Sequence, residues 1–137
     1  MSIQLFTSYY AGPKKGLQVS VSRREPKGYI ISHSLKELAP HGWMLAPHVK
    51  QFEYEKEYVK ILAKTTPEAV LTKVADWCNF TGQKEVTFLC WEKPGDFCHR
   101  HLIAAWLMDA GYEVNEIGAV DSKKAKVEVK DAQLSLF

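Results

Sequence analysis

A chain of 137 residues is the size of one ordinary domain, which can bury roughly 70% of the surface that its unfolded chain exposes. Its 46% apolar, 12% aromatic and 25% charged residues exclude a disordered or fibrous protein, and a net charge of +2 gives little attraction for nucleic acid by itself. The sequence lacks an apolar run of the ~18 residues that a membrane span needs, and its first residues do not resemble a signal peptide. We therefore expect a cytoplasmic protein without a membrane partner. Three cysteines, an odd number, predict reduced thiols.

The first half of the chain predicts two strands and a helix. Residues 3–7 and 17–22 are short and β-rich, and the turn formers of AGPKKG separate them. One helical turn is predicted at residues 34–38. From Glu53 to about Lys64, apolar residues recur at the i, i+4, i+7 spacing of a helix with one apolar face.

The second half begins with a helix that has signals at both ends. Thr66 is a suitable N-cap and Pro67 suits the first helical position, so a helix is predicted over residues 67–80 and should end near Gly82. The apolar run EVTFLC at residues 85–90 is typical of a strand covered on both faces.

After a charged loop, the chain predicts one more helix and one more strand. An apolar stripe from Ile103 to Ala110 predicts a helix that ends at Gly111, and residues 112–118 predict a strand. The alternation of strands and helices favours βαβ units, and hence a single α/β domain of three layers, with a mainly parallel sheet and helices on both faces. We assign residues 1–120 to this domain and residues 121–137 to a charged tail.

The stretch from Cys90 to Arg100 concentrates reactive side chains at one predicted edge of the sheet. Cys90 and Glu92 lie at the carboxyl end of a strand, where open parallel sheets bind their ligands. Cys98, His99 and Arg100 open the next helix, where free backbone N–H groups and the helix dipole favour an anion. Arg100 could hold a phosphate or carboxylate by a bidentate contact, and the same field would make Cys98 a better nucleophile.

Three interpretations of this cluster are open. In the first, it is an active site for a phosphate or nucleotide, with Glu92 or His99 as general acid or base and Arg100 holding the anion. In the second, Cys90, Cys98 and His99 bind zinc, which is not favoured because no C-x-x-C pair sets the usual geometry. In the third, the cluster is structural: Cys90 is buried, Glu92 pairs with Arg100, and His99 is exposed.

Two other segments are predicted to reach the same edge and bind substrate. Ser8, Tyr9 and Tyr10 follow the first strand and offer hydroxyl groups. Arg23 and Arg24 follow the second strand and would add positive charge to the pocket, with a solvated basic turn as the alternative.

LCWEKPGDFCHRHLIAAWL resembles the signature of the domain of unknown function 488 family of bacteria and phages, whose members carry C-x-E followed by C-H-R. LFTSYYA, VSVSRREPKGY and LKELAP extend the resemblance over about residues 3–117. It implies a Rossmann-like fold. The basic SRR segment departs from the family pattern, so the resemblance assigns no role to its arginines. The family motif falls on Cys90, Glu92, Cys98, His99 and Arg100.

A second resemblance concerns the last five residues, QLSLF, which are similar to the pentapeptide by which bacterial polymerases and repair proteins bind the sliding clamp. Leucine and phenylalanine side chains on a charged tail would be apolar anchors, the glutamine could hydrogen-bond at the pocket rim, and the tail would be a flexible tether. The alternative is a tail that folds back onto the core. The motif comprises Gln133, Leu134, Ser135, Leu136 and Phe137.

These observations together predict a DNA- or nucleotide-processing enzyme, a hydrolase or transferase, that is tethered to the bacterial sliding clamp. Its expected partners are the clamp and DNA or nucleotides. The alternative is a non-catalytic clamp-binding factor, for instance from a phage, that competes for the clamp pocket and so modulates host replication.

Overall fold

The computed structural model describes residues 2–91 and 99–117. Across this part of the chain, every helix is too short or too polar to cross a lipid bilayer. The proposed tail, residues 121–137, lies outside the described residues. The elements in chain order are β1 (Gln4–Tyr9), β2 (Leu17–Ser20), β3 (His33–Ser34), the 3-10 helices Lys36–Leu38 and Gly42–Leu45, α1 (Gln51–Leu62), α2 (Pro67–Thr81), β4 (Glu85–Cys90), α3 (His99–Asp109) and β5 (Val114–Glu116).

The five strands form one sheet in the order β3-β2-β4-β1-β5, and every pair is parallel. Tyr9 of β1 lies beside Cys90 of β4, and Ser20 of β2 lies beside Leu89 of β4. The carboxyl ends of the strands therefore meet at one edge of the sheet. An all-parallel sheet with three helices confirms the predicted α/β, Rossmann-like domain.

One face of the sheet contributes alternate strand residues to the main hydrophobic core. Val19, Val86 and Phe88 are fully buried there, and they belong to the same cluster as Ile61, Val74 and Ile103 of the three helices. Burying such side chains contributes about 1.5–3 kcal/mol each and is the main source of stability.

The turn between β1 and β2 crosses the opposite face of the sheet. The backbone N–H of Lys15 donates to Thr87 Oγ1 at 2.9 Å, and that hydroxyl donates to the Lys15 carbonyl at 2.8 Å. The Lys15 ammonium also lies 4.9 Å from the centre of the Phe6 ring. These contacts fix where the chain leaves β1 and enters β2.

Helix α2 forms where its sequence signals predict it. Thr66 Oγ1 accepts a hydrogen bond from the Ala69 N–H at 3.0 Å, Pro67 is the first helical residue, and Gly82 is the left-handed C-cap with φ +79°. Helix α1 begins two residues earlier than predicted, at Gln51, where the Glu53 carboxylate accepts from the Lys50 N–H at 2.8 Å.

The region between β2 and α1 departs from the predicted single helical turn at residues 34–38. His33 and Ser34 instead form the short edge strand β3 beside Val19 and Ser20, and a 3-10 helix follows at Lys36–Leu38. This region supplies most of the residues that line the cleft described next.

Candidate functional site

A cleft of about 550 Å³ lies beside the carboxyl ends of β2 and β4. Ser22, Arg23 and Arg24 follow β2 and form one side, and Trp91 follows β4 on the same side. The opposite side is built by Tyr54 of α1 and by side chains between residues 40 and 51. The two exposed arginines lie at the cleft, as predicted, and they give it a positive side.

The turn that carries Arg23 and Arg24 is held in place by Lys36. Its ammonium donates to the carbonyls of Ser22 at 3.1 Å and Arg23 at 2.8 Å. The Arg23 guanidinium lies across Gly42, since a Cβ built at Gly42 would be 3.6 Å from Arg23 Cζ. A side chain at Gly42 would therefore touch the arginine head group, whereas glycine leaves room for it.

Tyr10 and Trp91 connect the ends of β1, β2 and β4 by hydrogen bonds. The Tyr10 hydroxyl lies 2.7 Å from Ser20 Oγ and 2.7 Å from Ser22 Oγ. Ser22 Oγ donates in turn to the Arg24 carbonyl at 2.9 Å, and Trp91 Nε1–H donates to the same carbonyl at 2.8 Å. This chain of bonds fixes the positive turn relative to the sheet.

His99 is buried at the side of the cleft and holds the end of β2 against α3. Its Nε2 lies 2.6 Å from the Val21 carbonyl, which can only accept, so Nε2 carries the proton. The pKa of His99 is lowered to about 4, chiefly by burial; the hydrogen bond to Val21 opposes this shift, and the Arg100 and His101 charges contribute to it. The ring is therefore neutral near neutral pH.

His99 was predicted either as a general acid or base or as an exposed residue of a structural cluster, and its surroundings bear on both predictions. The expectation of an exposed side chain is wrong, because the residue is 4% exposed. A general acid needs a pKa near the working pH and a proton that can be transferred. With its Nε2 proton donated to a backbone carbonyl, His99 fits a positioning role.

Arg100, the second residue of α3, is fully buried. Its Nε is 3.2 Å and 3.3 Å from the two carboxylate oxygens of Glu116, and its Nη2 is 3.0 Å from Glu116 Oε2. Thr7 Oγ1 also donates to this carboxylate. The bidentate contact that we expected for a substrate anion is thus made to Glu116, at the carboxyl end of β5.

Cys90 is buried at the end of β4, is disulfide-bonded, and has Arg100 Nη1 3.2 Å from its Sγ. The prediction of reduced thiols is therefore wrong for Cys90. The same prediction is correct for Cys78, which is a free, buried thiol whose pKa is raised by burial. The predicted catalytic residues Glu92 and Cys98 lie outside the described residues.

The alternative of a zinc site finds no ligand set in the part of the chain that the structure describes. There, no three side chains of His, Cys, Asp or Glu come together to hold a metal ion. A sulfur in a disulfide also lacks the thiolate that zinc binds.

Residues 5–111 match the model of a family described as the Active DUF488-N3 subclade. The chain belongs to this subclade. The resemblance drawn from the C-x-E and C-H-R motifs is confirmed at the level of the family. Comparisons of this DUF488-N3 protein with curated proteins and with solved structures gave no match.

Two predicted substrate-binding residues of this DUF488-N3 protein are not among the cleft-lining residues. Ser8 is fully buried, and its hydroxyl has no hydrogen-bond partner within residues 2–91 and 99–117. Tyr9 is half-buried and its ring lies against Gly12, where an added Cβ would come within 2.5 Å of Tyr9 Cε1.

Glu116 and the serines Ser20 and Ser22 were not predicted as part of the site. A signal for Glu116 was present, because it is a carboxylate at the end of a predicted parallel strand, on the edge that carries Arg100. The serines had no signal of their own, since they look like ordinary residues of a β-strand and its turn.

Proposed function

We propose that this protein binds and processes a nucleotide or nucleic acid in the cleft, as a hydrolase or transferase, while its last five residues tether it to a bacterial sliding clamp. One observation carries the first part: Arg23, Arg24 and Trp91 line the same cleft. Guanidinium groups recognise phosphate oxygens, and an indole ring stacks on a base. The description of the matched subclade as active supports an enzyme.

The reactive group of this enzyme would come from the segment between β4 and α3. That segment carries Glu92 of the family motif, and it begins after Trp91 and ends before His99, both of which line the cleft. The buried Arg100–Glu116 pair fixes the start of α3 against the end of β5, and so supports a rigid edge. In this proposal Glu92 is the general base or acid and the exposed arginines hold the anion.

The cleft is tested by replacing its arginines. Purified protein is screened against single-stranded and modified DNA and against nucleotides for any conversion. A charge-assisted hydrogen bond contributes roughly 1.5–3 kcal/mol, so Arg23→Ala and Arg24→Ala should each weaken substrate binding roughly tenfold or more. Lys64→Ala removes an exposed cation at the end of α1 and is the matched control, with no expected change. If none of these substrates is converted, the enzymatic part of the proposal is rejected.

The tether is proposed from the match of Gln133–Phe137 to the clamp-binding pentapeptide. Deleting residues 133–137, or replacing Phe137 with alanine, should abolish binding to the purified clamp without changing the unfolding curve of the domain. Lys130→Ala, just outside the motif, is the matched control. Unchanged clamp affinity after the deletion would reject the tether.

A second function, a non-catalytic factor that occupies the clamp pocket, has its own support. Arg100 is buried in an ion pair with Glu116, and Cys90 is buried and disulfide-bonded, so both stabilise the fold. The two functions are distinguished in cells. If Glu92→Gln and Arg24→Ala retain full activity while deletion of residues 133–137 abolishes it, the non-catalytic function is favoured.

A further inference from the structure

An immobilised aromatic ring lies at the carboxyl edge of the sheet. Tyr10 is 2% exposed, and its hydroxyl is held at 2.7 Å by each of Ser20 and Ser22. A ring that is buried on its sides and hydrogen-bonded at its tip has little freedom to move. Tyr10 is therefore a rigid support for side chains that pack against it.

Two exposed aromatic rings contact this support from different segments of the chain. The Tyr29 ring lies 5.7 Å from Tyr10, tilted by 48°, and the Trp91 ring lies 6.4 Å away, edge-on at 79°. Both are unusually exposed for aromatic side chains, at 37% for Tyr29 and 53% for Trp91. Trp91 is further fixed by the bond from its Nε1–H to the Arg24 carbonyl. They form a pre-ordered aromatic surface.

Positive charge accompanies each of these rings. The Lys14 ammonium lies 5.8 Å from the centre of the Tyr29 ring and donates to the Gly12 carbonyl at 2.8 Å, which holds it there. Arg24 borders the cleft together with Trp91. The surface therefore combines aromatic rings with cations, with Lys14 over the Tyr29 ring and Arg24 in the cleft that Trp91 also lines.

We propose that Tyr29 and Trp91 form a stacking surface for single-stranded nucleic acid, on which bases lie while Lys14 and Arg24 contact the neighbouring phosphates. Such a combination of aromatic rings and cations suits a single strand, whose base faces are accessible, and it tolerates any sequence. A duplex fits less well because its base faces are covered by their neighbours. The proposal rests on the proposed function, and it narrows the substrate to a single strand that passes the cleft.

The test measures binding of a short fluorescent oligothymidylate by anisotropy at low salt, with the same probe in a duplex for comparison. Stacking of one base contributes ~1–3 kcal/mol, so Trp91→Ala and Tyr29→Ala should each weaken binding roughly tenfold or more. Trp91→Phe and Tyr29→Phe keep a ring and should retain most of the affinity. Phe80→Ala, which removes a 91% exposed ring on α2, is the matched control and should bind like the parent.

A second measurement uses the unmodified protein, so it does not depend on whether the variants fold. The unmodified protein is photocrosslinked to oligonucleotides containing bromouridine, and the attached peptides are identified by mass spectrometry. Crosslinks at Tyr29 or Trp91 support the surface. Crosslinks confined to other residues, equal affinity for the duplex, or parent-like binding by both alanine variants would overturn it, and a peptide would then be the more suitable occupant.

The outcomes separate this inference from the proposed function. If nucleotides are processed in a way that needs Arg23 and Arg24 but the stacking variants bind oligonucleotide normally, the stacking surface alone is wrong. If the oligonucleotide binds through Tyr29 and Trp91 but no nucleotide or nucleic acid is converted, the enzymatic function alone is wrong.

Discussion

Arg100 and Glu116 form an ion pair in which the guanidinium is fully buried and the carboxylate is 19% exposed, with Nη2 and Oε2 3.0 Å apart. The pair connects the first turn of α3 to the end of β5. Because β5 is only three residues long, this contact adds to the few backbone pairings with β1 that hold the edge strand.

Replacing Glu116 with alanine should be strongly destabilising. The change removes the Glu116 carboxylate from a buried ion pair, and breaking a buried pair by removing one partner costs roughly 3–5 kcal/mol. Denaturant unfolding measures the loss. Glu37→Ala is the control, since its pair with Lys73 is exposed and such pairs contribute about 0–1 kcal/mol. Equal losses for the two variants would contradict the structural role of the buried pair.

The free energy of unfolding should fall in mild acid because of His99. Its pKa is lowered in the fold, from 6.5 to about 4, so between these pH values the unfolded chain binds a proton that the native ring does not. Stability from the neutral ring is thus present above pH 6.5 and decreases as the pH falls towards 4, by roughly 3 kcal/mol in all.

Unfolding measured across that pH range in the parent and in His99→Gln tests this expectation. Glutamine can donate to the Val21 carbonyl but does not titrate, so the difference in stability between the two proteins should shrink as the pH falls. A difference that stays constant with pH would show that His99 is not the group responsible.

Tyr10→Phe should lower stability by about 1–2 kcal/mol, since it removes the hydroxyl shared by Ser20 and Ser22 inside the protein. The two serine hydroxyls lie 3.5 Å apart and can only partly compensate. Thermal and denaturant unfolding measure the change. Tyr112→Phe removes an exposed hydroxyl bonded to Glu68 and should be nearly neutral, so a matching loss there would contradict the assignment.

Gly16 should tolerate no side chain. It has φ +66°, and a Cβ there would lie 2.0 Å from the Glu85 carbonyl oxygen, which is backbone of the neighbouring strand. Gly82 also has positive φ, at +79°, but nothing lies within 4 Å of a Cβ there. Gly82→Ala should therefore cost only the ~1–2 kcal/mol of a left-handed residue, and Gly16→Ala clearly more, as unfolding curves of both variants would show.

Features fixed by local chemistry could be predicted from the sequence. The bounds of α2 follow from Thr66, Pro67 and Gly82, which act within a turn or two of where they stand. Strand β3 could not be predicted, because its two residues are a strand only through pairing with β2, and nothing in the segment itself marks that contact.

The candidate site also has one part that the sequence predicts and one part that depends on the whole fold. The parallel-strand rule correctly brought Cys90, His99 and Arg100 to the edge of the sheet, next to the arginines that follow β2. The burial of Arg100 against Glu116 depends on β5 lying beside β1, and the strand order is a property of the whole chain. Sequence spacing therefore identified a chemically suitable residue but not the carboxylate that pairs with it.

The strand order also has a consequence for synthesis on the ribosome. β1 is made first, yet its neighbours in the sheet are β4 and β5, which begin at Glu85 and Val114. Until Cys90 has emerged, β2 and β3 are the only described strands that can pair. The apolar first strand therefore stays unpaired in the nascent chain until β4 has been synthesised, so the five-stranded sheet can form only after that point.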